Sequence, residues 1–252
     1  MAAATDRLDS EQQFHDAQAR ARAEHFAAAP RELLVNDVDY LRHESWIAPA
    51  MAQLGDVCGR RVLDLGCGHG MAAVVLARRG ARMTACDLSG GYLREASARA
   101  RANGVAVECV QLNGDVLPFA DQSFDRVWGN AILHHLDIAA AGREIRRILM
   151  PDGVAVFCEP WGGNPLLRAT RRWVPYPGKH RTPDEEPLRQ RDVAILRDIF
   201  ARVDMRGVQL FAMLHRVIPK LGPTLERADT RLLAVIPSLE QFCRYVVLTL
   251  QR

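Results

Sequence analysis

The segment VLDLGCGHG, residues 62–70, constrains the fold more than any other part of this sequence. Its mostly apolar first half predicts a buried strand, and three glycines then follow at every second position. Glycines there permit a tight turn and let a ligand reach bare backbone, while the amides of the next helix face that ligand. We therefore expect a strand, a ligand-binding turn and a helix, in that order.

The same alternation of strand and helix continues to residue 159. RRVLDLG, ARMTACD, VAVECVQL, FDRVWGN and GVAVFCE read as short apolar strands. Helical patterns separate them in MAAVVLARRG, GYLREASARARANG and IAAAGREIRRILM, with Ser89 and Asp137 as N-caps of the last two. Strands that are buried on both faces and separated by helices predict a parallel sheet with right-handed crossovers. RVDMRGVQLF and RYVVLTLQ are two later strands.

The length of 252 residues predicts one domain, residues 1–252, with a full core. Residues 1–58 read as a peripheral helical cap, and residues 59–160 as the ligand-binding core. Residues 161–187 are rich in Pro, Gly and Arg without a clear period, and residues 212–242 read as mixed helix with proline breaks. We expect these last two segments to form a variable lid.

Charge and cysteine content exclude several classes of protein. The net charge of +3 predicts no bulk attraction to nucleic acid or to an anionic membrane. The six cysteines are scattered without a C-x-x-C pair, which indicates reduced buried thiols and no metal site. The charged N-terminus does not read as a secretory signal, and no apolar run could span a bilayer. We therefore expect a cytoplasmic protein.

Polar residues follow three further strands at the edge where a parallel sheet binds its ligands. Asp87 ends the second strand, where its carboxylate could accept hydrogen bonds from both ribose hydroxyls of an adenosine. Asp115 follows the third strand and could accept from an adenine amino group, or form an Asx turn. Asn130 and Ala131 follow the fourth strand. Together they predict a nucleoside ligand.

The glycine spacing argues against a dinucleotide. The dinucleotide fingerprint is G-x-G-x-x-G, whereas this chain has Gly66-x-Gly68-x-x-Met71. Asp64 lies just before the glycines, where its charge would repel a pyrophosphate but could hold an ammonium group. An NAD-dependent oxidoreductase is therefore disfavoured relative to a protein that binds an adenosyl sulfonium compound.

Four segments carry a resemblance to a known family. VLDLGCGHG, ACDLS, GDVLPFADQSFDRVWGNAILHHL and EIRRILMPDGVAVFCEP, in this order, resemble the class I S-adenosylmethionine-dependent methyltransferases. The most similar branch is the small-molecule one that is related to the ubiquinone and menaquinone methyltransferases. The resemblance implies an α/β, Rossmann-like sheet of seven mostly parallel strands, with an antiparallel last strand and helices on both faces. It also implies S-adenosyl-L-methionine as cofactor and S-adenosyl-L-homocysteine as product.

The resemblance also assigns the cofactor-binding residues. It places Asp64, Gly66 and Gly68 around the methionine part, Gly70 at the start of the helix, Cys67 as a small filler, Asp87 at the ribose, Leu88 on the adenine, Asp115 and Val116 on either side of the adenine, and Asn130 and Ala131 near the sulfonium.

Three residues are candidates for catalysis: His134, His135 and Glu159. Methyl transfer is an in-line displacement that depends on alignment and desolvation, but an acceptor hydroxyl must also lose its proton. A histidine, with a pKa of about 6.5, can take that proton near neutral pH. Adjacent histidines point in different directions, so at most one faces the acceptor. Alternatively, the histidines shape the turn and Glu159 caps a loop.

The N-terminal cap and the first lid segment carry the candidate acceptor-binding residues, which are Tyr40, His43, Trp46, Trp161 and Arg181. We expect a small, fairly apolar acceptor, such as a secondary metabolite, a quinone-like ring or a lipid precursor, with O-methylation favoured. An RNA methyltransferase is an alternative, which the small net charge disfavours. A non-catalytic cofactor-binding or scaffold protein is another. The apolar lid also leaves a homodimer open.

Overall fold

The computed structural model describes residues 2–165, 167, 186–216 and 218–252. Seven strands in these ranges form one sheet in the order β3-β2-β1-β4-β5-β7-β6. The strands are β1 (Arg61–Leu65), β2 (Arg82–Asp87), β3 (Val107–Gln111), β4 (Phe124–Asn130), β5 (Leu149–Pro160), β6 (Arg202–Val208) and β7 (Tyr245–Gln251). β1 to β5 pair in parallel, and β7 runs antiparallel to both β5 and β6. The predicted Rossmann-like sheet with an antiparallel last strand is confirmed.

Helices cover both faces of this sheet. They are α1 (Ala2–Ala28), α2 (Asp37–His43), α3 (Ile47–Ala52), α4 (Met71–Arg78), α5 (Gly90–Ala102), α6 (Ile138–Ile148), α7 (Gln190–Ile199) and α8 (Gly222–Val235). Both predicted caps are confirmed. The Ser89 hydroxyl accepts from the Tyr92 amide, and the Asp137 carboxylate accepts from the Ala139 and Ala140 amides in the first turn of α6. These side chains satisfy amides that have no partner within their own helix.

The core has two halves, one on each face of the sheet. Alternate residues of a strand point to opposite faces, so Leu63 and Phe157 pack with α6 and α7. Val62 and Val156 face the other way and pack with α3 and α4. By the same alternation Asp64 points toward the α4 face, and Glu159 points toward the α6 face.

The structure departs from the predicted strand bounds at β5. The sequence predicts a strand from Gly153, whereas β5 begins at Leu149, which pairs with Phe124 ahead of a register shift. The residues before 59 include α1, α2 and α3, and residues 212–242 contain α8 between short 3₁₀ turns. The other lid segment lies largely outside the described residues. The division of the chain into a core and lids stays a prediction.

In the part of the chain that the structure describes, no helix is both long and apolar enough to cross a membrane.

Candidate cofactor and active site

A cavity of about 220 Å³ lies at the carboxyl edge of the sheet, beside the turns that follow β1 to β4. Six of the predicted cofactor residues and one predicted catalytic residue line it: Gly66, Gly68, Asp87, Leu88, Asn130, Ala131 and His135. The other lining residues are His15, Leu65, His69, Cys86, Tyr92, Leu112, Asn113, Gly114, Ile132 and Leu136. These predicted residues therefore lie together around one cavity at the edge where the strands end.

Two glycines shape the floor of the cavity in different ways. Gly66 and Gly68 have φ values of 68° and 50°, in the left-handed region that favours glycine. A Cβ on Gly66 would lie 2.6 Å from the Ile132 side chain, so this glycine permits close packing. A Cβ on Gly68 would meet nothing within 4 Å, and Gly68 lines the cavity. Its bare backbone is therefore open to a ligand.

The Asp87 carboxylate ties the glycine turn to the start of α5. One of its oxygens accepts from the Gly68 amide and the other from the Ser89 amide, each at 2.9 Å. Burial raises the pKa of Asp87, and these amide hydrogen bonds oppose that shift. Each carboxylate oxygen can accept a second hydrogen bond, so a ribose with two hydroxyls fits this fixed carboxylate.

Asp64 lies behind the glycine turn, buried with only 2% of its surface exposed. Burial raises its pKa to about 7, and the negative charge of Asp87 adds to that shift. Its Oδ2 atom has no hydrogen-bond partner among the described residues. An ammonium group would supply both the missing partner and the missing charge, so the buried carboxylate fits the amino-acid end of the expected cofactor.

Four other predicted cofactor residues lie off the cavity lining. Gly70 is the N-cap residue of α4, with a φ of 74°. Asp115 accepts from the Asp137 amide at 2.8 Å, and Val116 is largely exposed. Their assignment to the adenine stays a prediction. Cys67 is half-buried, and burial raises the pKa of its thiol, which keeps it protonated and suits a filler rather than a nucleophile.

The three predicted catalytic residues form one chain of contacts, but only His135 lines the cavity. Glu159 is fully buried and accepts from the amides of Ile132 and Leu133 at 3.0 and 2.9 Å. Its other oxygen lies 2.7 Å from Nδ1 of His134, which is also buried. The rings of His134 and His135 are 4.1 Å apart. Glu159 and His134 therefore hold the turn that presents His135.

The predicted acceptor residues do not line this cavity. His43 is exposed at the end of α2, and the buried Trp46 ring stacks on Tyr245 at 5.5 Å. Trp161 is fully buried and donates to the Gln241 carbonyl. Burial raises the pKa of the Tyr40 hydroxyl, and the charge of Asp64 adds to this shift, so Tyr40 lies near the predicted ammonium site. Arg181 falls outside the described residues. These contacts with an acceptor stay predictions.

Sequence reasoning missed three aromatic residues of the cavity wall: His15, His69 and Tyr92. The Tyr92 ring lies 5.4 Å from the ring of His15 and 5.3 Å from that of His69. Burial lowers the pKa of His69 to about 4, which leaves its imidazole neutral at physiological pH. His69 lies within the glycine-rich segment and Tyr92 follows the ACDLS segment, which is a weak signal, but no local pattern could bring His15 from α1 to this edge.

The chain is similar to methyltransferases in sequence. Residues 63–157 match the family described as "Methyltransferase domain". A demethylmenaquinone methyltransferase of Thermobifida fusca is 39% identical over 140 residues, which are 52% of this chain and 57% of that protein. A ubiquinone biosynthesis O-methyltransferase of Neisseria meningitidis is 37% identical over 107 residues, 40% of this chain and 44% of that one. The chain thus spans about half the length of the curated relatives it matches.

Solved structures share the fold. An S-adenosylmethionine-dependent methyltransferase of Mesorhizobium loti superposes with a TM-score of 0.56 at 21% identity, over 84% of this chain and all of that one. At this identity the structural similarity shows the fold alone, while the domain match and the curated relatives show a similarity in sequence to methyltransferases. Residues 63–157 therefore match a methyltransferase domain, and through this match the chain resembles the class I S-adenosylmethionine-dependent methyltransferases.

Proposed function

We propose that this protein transfers a methyl group from S-adenosyl-L-methionine to a small, fairly apolar acceptor of the quinone-ring or lipid-precursor type, with an oxygen as the favoured acceptor atom. The observation that carries the proposal is the Asp87 carboxylate, fixed by the Gly68 and Ser89 amides at the wall of the cavity. The two curated relatives, whose names place them in quinone biosynthesis, support the acceptor class.

The residues of this chain would hold the cofactor at its two ends. Asp87 would accept from the ribose hydroxyls, and Leu88 would pack on the adenine. Asp64 would receive the ammonium, and the bare backbone at Gly68 leaves room for the chain between the two ends. When bound, S-adenosylmethionine supplies an activated methyl group on a sulfonium.

The protein's contribution to the reaction is alignment and the exclusion of water. Holding an acceptor in line with a bound donor can lower a barrier by about 7 to 11 kcal/mol, because the entropic cost of bringing the two together is met on binding. A closed, desolvated site also removes water that would otherwise solvate the acceptor. A phenol-like hydroxyl would in addition need a base.

His135 is the residue we propose for that base, because it is the member of the predicted trio that lines the cavity. Glu159 and His134 are buried, so we assign them a positioning role behind it. In this arrangement Glu159 holds the Ile132 and Leu133 amides, and the His134 ring supports the ring of His135.

The proposal is tested by an acceptor screen with the purified protein. Phenols, catechols, prenylated hydroquinones, amines and an unmodified RNA are each incubated with S-adenosylmethionine, and S-adenosylhomocysteine formation is measured. We expect turnover with a ring hydroxyl compound, and a loss of about 10²- to 10⁴-fold in His135→Asn at unchanged cofactor affinity. Turnover with RNA alone would overturn the small-molecule assignment, and equal turnover in His135→Asn would overturn the base.

A further inference from the structure

One wall of the cofactor cavity comes from α1, far from the methyltransferase domain in sequence. His15 lines the cavity together with Asp87 and His135. The rings of His15 and His135 are 6.3 Å apart and cross at 78°, edge to face. Two rings that stack on an adenine would lie parallel to each other and about 7 Å apart, at about 3.5 Å from each of its faces. The crossed geometry therefore does not fit two rings that stack on opposite faces of one adenine.

Directional contacts fix the position of His15 beside Asp87. Its neighbour Asp16 accepts from the Ser89 hydroxyl at 2.5 Å and from the Gly91 amide at 3.0 Å. Because Ser89 and Gly91 come just after Asp87 in the chain, this one carboxylate sets the distance between α1 and the end of β2.

The next turns of α1 are anchored in the same way. The Tyr92 hydroxyl donates to Gln18 at 2.6 Å, and Arg22 makes two hydrogen bonds to the Glu95 carboxylate. Among the described side chains of α1, Ala19 is buried and most of the others are exposed or half-buried. Polar groups therefore set where α1 lies, and these groups come from the same segment of α5 that borders the cavity.

His15 also interacts electrostatically with Asp87. Burial raises the pKa of Asp87, and the positive charge of a protonated His15 is among the influences that lower it. The imidazole and the carboxylate thus share one region of the cavity, at the end of β2 where a ribose would lie.

We propose that His15 is a cofactor-binding residue that contacts the ribose side of the adenosyl group held by Asp87. This inference rests on the proposed function, because it requires the cofactor in this cavity. It adds the N-terminal helix to the binding site, and it assigns the adenosyl end, rather than the amino-acid end, as the part of the ligand that α1 recognises.

The test compares two ligands and two matched histidines by calorimetry. S-adenosylhomocysteine carries both ends of the cofactor, and 5′-methylthioadenosine lacks the amino-acid end. His15→Phe keeps a ring and removes its nitrogens, while His25→Phe makes the same change on an exposed histidine of the same helix. We expect His15→Phe to weaken both ligands about 10-fold, as for one lost hydrogen bond, and His25→Phe to change neither.

Two further variants test whether the lost affinity comes from the lost His15 contact, and which end of the ligand is affected. His15→Gln, which restores a hydrogen-bonding amide, is expected to recover most of the affinity that His15→Phe loses. Asp64→Asn is expected to weaken S-adenosylhomocysteine and to leave methylthioadenosine unchanged. Protection of the Gly91 amide from hydrogen exchange reports whether α1 is still docked, because Asp16 accepts from that amide.

The outcomes distinguish the two proposals. If the unchanged protein binds neither ligand, the proposed function fails, and this inference fails with it. If it binds both, and His15→Phe binds them as His25→Phe does, the proposed function stands and the role of His15 is wrong. A loss confined to S-adenosylhomocysteine would place His15 at the amino-acid end and would also overturn the assignment.

Discussion

At the scale of single residues, the buried carboxylate of Asp64 bears on both the stability of the protein and its proposed ligand binding. It lies in the core half that packs against α4, with a pKa raised to about 7 by burial. A charge without a partner in such a place is costly, and proteins keep such groups chiefly where function requires them. Under the proposed function, the ionisation of Asp64 would couple the stability of the free protein to the binding of a positively charged ligand group.

We predict that Asp64 makes the free protein less stable as the pH rises from about 4 to about 7. In the unfolded chain an aspartate has a pKa of about 3.9, so within this window the folded state holds the extra proton. Raising the pH then favours unfolding, by up to about 4 kcal/mol for a shift of about three units.

Urea unfolding at pH 5 and at pH 8 measures this effect. Asp64→Asn has no proton to lose, so its free energy of unfolding should fall less between the two pH values than that of the unchanged protein. All other titrating groups are shared and cancel in the comparison. Equal pH dependence in the two proteins would show that Asp64 is already ionised at pH 5.

A second prediction at the residue scale concerns Glu159. Glu159→Leu leaves the Ile132 and Leu133 amides without their acceptor, and an unsatisfied buried donor costs about 1 to 3 kcal/mol. We expect the free energy of unfolding to fall by about 3 kcal/mol. Glu144→Leu is the comparison, since Glu144 accepts one backbone amide, from Leu117, and pairs with Arg147 in a more exposed position. A similar loss in both variants would argue against a special role for Glu159.

At the scale of elements, the strands could be predicted from sequence because each is a short apolar run between a turn and a helix cap. β4 spans Phe124–Asn130, as the pattern predicts. The extension of β5 back to Leu149 could not be predicted, because it depends on pairing with Phe124 across a register shift. His15 shows the same limit at the site, since its place depends on hydrogen bonds between α1 and α5, which are distant in sequence.

α8 is attached to the rest of the molecule mainly through one carboxylate. Asp229 is buried and accepts from three successive backbone amides, those of Leu210, Phe211 and Ala212, each at 2.9 Å. Apart from Asp229, Gly222 is the buried residue of this helix. The helix therefore depends on a polar anchor more than on apolar packing.

We predict that Asp229→Ala loosens α8 while the sheet stays intact. The three amides lose their acceptor, and their hydrogen exchange should speed up by about 10- to 100-fold, as expected for local opening. The amides of β1 and β4 should keep their protection. Unchanged exchange at residues 210–212 would show that apolar packing, rather than the carboxylate, holds this segment.

At the scale of the whole molecule, the residues that form the core and the residues that line the cavity come partly from different parts of the chain. Among residues with described side chains, neither half of the core includes a member of α1. The same helix supplies a wall of the cavity through His15. We therefore expect the core to form without α1, and the proposed cofactor site to need it.

We predict that removing residues 2–28 leaves a protein that unfolds cooperatively but binds S-adenosylhomocysteine about 10-fold more weakly or worse. The loss combines the His15 contact with the greater exposure of the cavity to water. Thermal unfolding and calorimetry on the shortened and full chains measure the two properties separately. A shortened chain that binds as tightly as the full chain would show that α1 has no part in the site.

The central claim is that the carboxyl edge of the sheet holds an adenosyl cofactor through Asp87, and one calorimetric comparison tests it most directly. S-adenosylhomocysteine is titrated into the unchanged protein and into Asp87→Ala, with thermal unfolding as the check that both are folded. We predict one binding site per chain in the unchanged protein and an affinity at least about 30-fold weaker in Asp87→Ala, since two hydrogen bonds to a charged group are lost. Equal affinity in the two proteins, or no binding to the unchanged protein, would contradict the claim.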